Sequence, residues 1–100
     1  IKMRLSDCLP DSIHVSSSKV VLAKNGNKIR SVQLECDGSD WNTVYNYLKN
    51  KYGDTDSRFS EASKERYRAV WIRNDRVIDL NYEKKDSKLE VECIDKKYFY

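Results

Sequence analysis

The sequence predicts an α+β domain of order β-β-α-β-β-β, with an antiparallel sheet of about five strands and one helix packed on one face. Three observations carry this. Two alternating runs flank a turn at Asn25-Gly26-Asn27, "SDWNTVYNYLKNKYGD" repeats apolar residues at the helical period, and "YRAVWIR", "RVIDLNYE" and "KLEVECI" then alternate again across short polar connections. With 100 residues, 39% of them hydrophobic and 35% charged, the chain suits one domain with one modest core. The expected boundaries are a polar lead-in over 1–12, a core over 13–95 and a tail over 96–100. Pro10, the single proline, falls in the lead-in, and no repeat or low-complexity tract divides the rest.

In the first hairpin Val20 and Leu22 share a face, as do Val32, Leu34 and Cys36. A two-residue turn at Asn25-Gly26 would set Val20 opposite Ser31 and Lys19 opposite Val32. A loop from Asn25 to Ile29 instead sets Leu22 against Val32 and Val20 against Leu34, so the longer loop is expected. In the helix Ser39 or Asp40 is positioned to cap the start, and Gly53 to end it in the left-handed conformation. Trp41, Val44, Tyr45, Leu48 and Tyr52 form its core stripe. The stretch 54–65 is polar and reads as a loop.

The last three runs form a meander joined at Asn74-Asp75 and at "KKDS". Its register places Trp71 opposite Ile78, Ala69 opposite Leu80 and Tyr67 opposite Tyr82, with Leu89, Val91 and Cys93 in the same rows. The reverse face then carries Arg66 beside Glu83 and Lys88, and Arg68 beside Asn81 and Glu90. Trp71 and Tyr67 point away from these arginines, so the stacking and cationic groups of "RYRAVWIRNDR" do not converge on one strand of nucleic acid. Arg73 and Arg76 remain as a small basic spot at the hairpin tip.

Little chemistry is signalled. Cys8, Cys36 and Cys93 fit neither a zinc spacing nor a C-x-x-C pair. Cys36 and Cys93 are expected in the core and Cys8 at the surface, all three reduced; one disulfide with a free thiol is the alternative. His14, the one histidine, has no neighbouring nucleophile motif and reads as a polar strand residue; an enzyme would need a cleft that joins it to a carboxylate. Asp54, Asp56 and Glu65 match positions 1, 3 and 12 of a calcium loop, but Arg58 and Phe59 occupy positions that require an oxygen ligand and a glycine. No cofactor or metal is expected. No window approaches the roughly 18 apolar residues of a membrane span, so none is expected. The opening "IKMRL" fits either removal of a leader or upstream part, or Met3 as the start behind two extra residues.

The helix closing on "LKNKYGD", the polar stretch, and then "VWIRNDRVIDLNYEKKDSKLEVEC" resemble a layout found in small exported bacterial proteins and lipoproteins. The small lipoproteins of the outer-membrane assembly machinery are similar in style, although they place two helices before their strands. The resemblance covers roughly 41–93. It implies an exported or periplasmic scaffold or binding protein without catalytic residues, and it carries no site residue over.

The expected function is therefore that of a small, non-enzymatic protein-binding module of bacterial type. Its expected contact patch for a protein partner or a second copy is Val70, Ile72 and Val77 on the face away from the helix, beside Arg73 and Arg76. The competing reading has the tail residues Tyr98, Phe99 and Tyr100 fold back over that cluster. The alternative function, nucleic-acid association, would use Arg73, Arg76 and the loop lysines Lys24 and Lys28.

Overall fold

The computed structural model describes residues 4–24, 28–61 and 65–98. The Asn25-Gly26-Asn27 turn, Met3, Phe99 and Tyr100 lie outside the described residues. The strands are β1 (Val15–Leu22), β2 (Ile29–Asp37), β3 (Ser57–Glu61), β4 (Arg66–Ile72), β5 (Arg76–Glu83) and β6 (Lys88–Asp95), with α1 (Trp41–Tyr52) between β2 and β3. All pairs are antiparallel, in one sheet of order β1-β2-β6-β5-β4-β3. The α+β architecture is as expected, with one strand more.

That strand, β3, corrects the expected loop over 54–65. "SRFSE" has no apolar alternation, but an edge strand needs only one partner's ladder, and β4 supplies it from Ser57↔Val70 to Glu61↔Arg66. Residues 62–64 of the same stretch lie outside the described residues.

The meander has the expected register, with Trp71↔Ile78, Ala69↔Leu80 and Tyr67↔Tyr82 followed by Ile78↔Cys93, Leu80↔Val91 and Tyr82↔Leu89. Beyond it, β2 adds Val32, Leu34 and Cys36 opposite Cys93, Val91 and Leu89, so one apolar surface crosses four strands. The first hairpin differs from expectation. Val20 pairs with Val32 and Ser18 with Leu34, and register shifts fall between Val15 and Ser17 and between Val21 and Leu22. The register still sets Val20 against Val32 and Leu22 against Ile29, but Val20 and Leu22 stay outside the core and remain more than half exposed, so burial does not fix the offset.

Val44 and Leu48 of α1 are fully buried against Trp71, Ile78, Leu80, Leu89 and Val91, with Trp41, Tyr45 and Tyr52 half-buried around them. Trp41 stacks on Tyr82 with ring centroids 5.3 Å apart and planes at 14°, and Tyr82 stacks in turn on Tyr67. The helix ends differ from the sequence reading. Its start is organised by Asp37, whose carboxylate accepts the Ser39 N–H (2.9 Å) in the 3-10 turn Gly38–Asp40, while Asp40 makes no side-chain cap. Gly53 ends α1 at φ 84°, ψ −154°, outside the left-handed helical region and accessible in practice to glycine alone. In that conformation its carbonyl accepts the Trp71 indole N–H at 2.9 Å.

The lead-in is not outside the core. Cys8 is 3% exposed and Leu9 1%, which corrects both the 1–12 boundary and the expected surface position of Cys8. One helix is too narrow to roof the apolar surface, and the N-terminal segment covers part of what is left. Cys36 and Cys93 are buried as expected.

Leu48→Ala and Leu80→Ala should each destabilise the fold by about 2–5 kcal/mol, measured by urea unfolding; losses under about 0.5 kcal/mol at both would remove this packing. Gly38→Ala tests the closest backbone approach. Its added methyl would lie 2.7 Å from the Ser87 carbonyl carbon and 2.8 Å from a Tyr82 ring carbon. A loss of about 1–3 kcal/mol is expected there, from displacement of the β5–β6 turn.

Candidate binding groove

The residues of the expected patch are brought together, but little of the patch is open. Val70 and Val77 are buried in a small cluster with Ile94, and Ile72 is half-buried beside them. The tail turn Lys96–Tyr98 follows β6 directly, and the Lys96 N–H bonds the Asp75 carbonyl at 3.1 Å. The two arginines expected to rim the patch are engaged within the fold. Arg73 donates to the Tyr52 and Asp54 carbonyls and pairs with Asp56 at 2.7 Å. Arg76 pairs with Asp7 at 2.8 Å and with Asp75 at 3.0 Å. Along the same face, Arg66 meets Glu83 at 3.6 Å as the register requires, but Arg68 pairs with Asp79 at 2.6 Å rather than with Glu90.

His14 is exposed just before β1, in an open cleft with Asp37, Asp40 and Asp86. The carboxylate of Asp37 is already occupied by the Ser39 N–H and the Ser87 hydroxyl, which hold its pKa below the usual range. Cys36 borders the same cleft with its thiol pushed up to about 11, chiefly by burial, so at neutral pH it is protonated and a poor nucleophile. These groups organise a strand-to-helix junction. Among the described residues, no group of three or more His, Cys, Asp and Glu side chains is arranged to hold a metal ion.

An apolar groove of about 330 Å³ opens on the helix-side face at the β1 end of the sheet. Val32 and Leu34 of β2 and Cys93 of β6 line its base, β1 contributes Val15 and Val20, and the N-terminal segment contributes Leu5 and Cys8. Around and beyond it lie the exposed large hydrophobic residues of the described chain: Leu5 (56%), Val20 (53%), Leu22 (55%) and Ile29 (48%). Among the described residues β1 is also an edge strand, so the outer side of its backbone offers unpaired N–H and C=O groups.

The groove's N-terminal wall is built by side chains reaching back to it. Leu5–Asp7 forms a 3-10 turn closed by the Asp7, Cys8 and Leu9 N–H groups. Tyr47 donates its hydroxyl to the Ser6 carbonyl, and Tyr52 donates to the Asp7 carbonyl at 2.7 Å. Burial raises the Tyr52 phenol to about 12, so it stays a donor throughout the neutral range. Burial alone would also raise the Asp7 carboxyl. The Arg4 N–H, the Arg76 guanidinium and the charge of Lys51 together outweigh that and hold it below the usual range.

Positive charge surrounds the groove, although among its lining residues only Arg4 is charged. From Ser12 to Leu34 the chain has no acidic residue but carries Lys19, Lys24, Lys28 and Arg30, all exposed, and Arg4 is exposed beside the groove. The formal net charge of the whole chain is +3, so these four cations of the β1–β2 arm exceed it and the remainder is slightly acidic.

No family model, curated protein or solved structure matches the chain. No described helix is long and apolar enough to cross a membrane.

Asp7→Asn tests how firmly the N-terminal segment is held to the rest of the fold. Because its folded pKa lies below its unfolded one, Asp7 contributes stability that is fully present above about pH 4 and is lost as pH falls through the lowered folded value. The variant should be about 1–3 kcal/mol less stable at pH 7. Below about pH 4 its stability should fall less steeply than that of the wild type, as read by thermal unfolding at several pH values.

Proposed function

We propose that the chain is a non-enzymatic protein-binding module that takes an extended polypeptide segment along β1, the segment alternating apolar with acidic residues. The observation that carries this reading is the coincidence of an unpaired edge strand with an apolar groove beside it. Added strands gain main-chain hydrogen bonds from such an edge, and alternate side chains gain specificity from pockets next to it. Val20, more than half exposed, lies between the two features.

Charge selects the partner's chemistry. The arm carries four cations and no acid from Ser12 to Leu34, so it favours an acidic segment. Two copies meeting arm to arm would oppose like charges, which disfavours a second copy as the occupant. Nucleic acid would be attracted by the same charge. However, Arg73 and Arg76 are held in internal ion pairs, and Tyr67 and Trp71 contact the aromatic rings of α1, which leaves the arm without a stacking platform. The layout shared with small exported bacterial proteins supports a bacterial and exported setting for this binding.

Selection of random peptides displayed on phage against the folded chain should enrich sequences that alternate apolar and acidic residues. On titration with such a peptide, amide NMR shifts should concentrate over 17–22. Val20→Glu should weaken binding at least about tenfold while moving the thermal midpoint by less than about 2 °C. Shifts confined to the opposite face of the sheet, or enrichment of basic peptides, would overturn the reading. Tighter binding of single-stranded RNA, falling steeply with salt, would transfer the arm to nucleic acid.

A further inference from the structure

We infer that Cys8 and Cys93 form an oxidation site, joining as a disulfide that ties the N-terminal segment to the central strand β6. The inference stands independently of the peptide-binding reading. Both residues line the same groove and belong to one buried cluster. The pairing is built in. One residue before Cys8, the Asp7 carbonyl is held by the Tyr52 hydroxyl and its carboxylate by Arg76. Cys93 is fixed between Ile78 of β5 and Val32 of β2 in the middle of the sheet. Cys36 cannot take the place of Cys8. It borders the cleft with His14 rather than the groove, and it lies opposite Leu89. Leu89 and Cys93 stand about 13 Å apart along β6, well beyond the roughly 7 Å Cα separation that a disulfide spans.

The chemistry balances as a thiol–disulfide exchange with a low-molecular-weight disulfide. The two thiols act on each other, so that the Cys93 thiol is held below its ordinary range and the Cys8 thiol above it; the nearby charge of Arg76 also favours the Cys93 thiolate. In the finished fold Cys93 is fully buried and Cys8 nearly so, and the exchange takes place before the N-terminal segment closes over the sheet: the Cys93 thiolate attacks one sulfur of the small disulfide and expels the other half as a thiolate. Cys8 then attacks the Cys93 sulfur of the mixed disulfide and expels the second half. The two protons lost by the cysteines end on the two released thiols. One protein disulfide forms and one small disulfide is reduced.

The test refolds the wild-type chain in the presence of oxidised glutathione, then alkylates the product and digests it without reduction. Trypsin places the three cysteines on different peptides, because Lys19, Arg30, Lys49 and Lys88 separate them. The expected product is a single Cys8–Cys93 linked peptide pair, with Cys36 alkylated only after unfolding. The bridge should raise the thermal midpoint by on the order of 10 °C, since it closes most of the chain into one loop. Cys36→Ala should keep that rise and Cys8→Ser should lose it; should Cys8→Ser fail to fold, the wild-type peptide map decides alone. A map in which all three thiols stay free, in which glutathione stays attached to Cys8 or Cys93, or in which Cys36 is bridged overturns the inference.

Discussion

The helix is about 18 Å long and 10 Å wide, from its twelve residues, whereas six strands about 4.8 Å apart make a sheet about 24 Å across. A helix of that width must leave part of one apolar face open to water unless another segment covers it. Most of the remaining architecture answers this mismatch. α1 takes the centre of the face, over β4, β5 and β6, where Trp71, Leu80 and Val91 are fully buried. The N-terminal segment brings Cys8 and Leu9 to the uncovered side, and Tyr47 and Tyr52 use the polar ends of otherwise packed rings to hold that segment by its carbonyls. Val15 of β1 packs against this core but Val20 is left more than half exposed, and the groove is what remains.

Electrostatics divides along the same line. Near the helix end and the β4–β5 turn, cations are matched: Arg73 by Asp56, Arg76 by Asp7 and Asp75, Arg68 by Asp79. Over 12–34 no acidic residue accompanies the cations of β1 and β2, and acids return only at Glu35 and Asp37 where β2 ends. A patch of arginines near apolar residues is an interface signal only while the arginines are free, and at the hairpin tip they are not. The unbalanced positive charge lies at the opposite edge, where the apolar exposure also lies.

The sequence made the meander legible because two short connections fix its register and because a one-residue slip would turn Trp71, Leu80 and Val91 to the wrong face. The phase of Val70, Ile72 and Val77, away from the helix, was legible for the same reason. The partners of Arg73 and Arg76 were not, since Tyr52, Asp54, Asp56 and Asp7 reach them only through the fold. β3 has no period of its own, and its strand character comes from β4. The role of Cys8 and Leu9 was hidden by the polar residues around them in "SDCLPDS", where two buried side chains make no pattern. For the groove, the missing acids between Ser12 and Leu34 were readable, but the exposure of Val20 and Leu22 was not. Their alternation is that of a buried strand, and only the size of the helix says that this one is left uncovered.

The sheet order adds a constraint that ties the groove to the whole fold. β6, last in the chain, lies between β2 and β5, so its ladders join Ser31–Asp37 on one side to Arg76–Glu83 on the other. β5 and β6 form a local hairpin, whereas the β2–β6 pairing closes a large loop and is expected to form late. Until β6 docks, the hairpin of β1 and β2 has no neighbour on its inner edge and the groove has no Cys93 at its base. The arm that offers the open edge is therefore shaped by the long-range pairing of β2 with β6, and a surface at the rim of the sheet depends on a pairing at its centre.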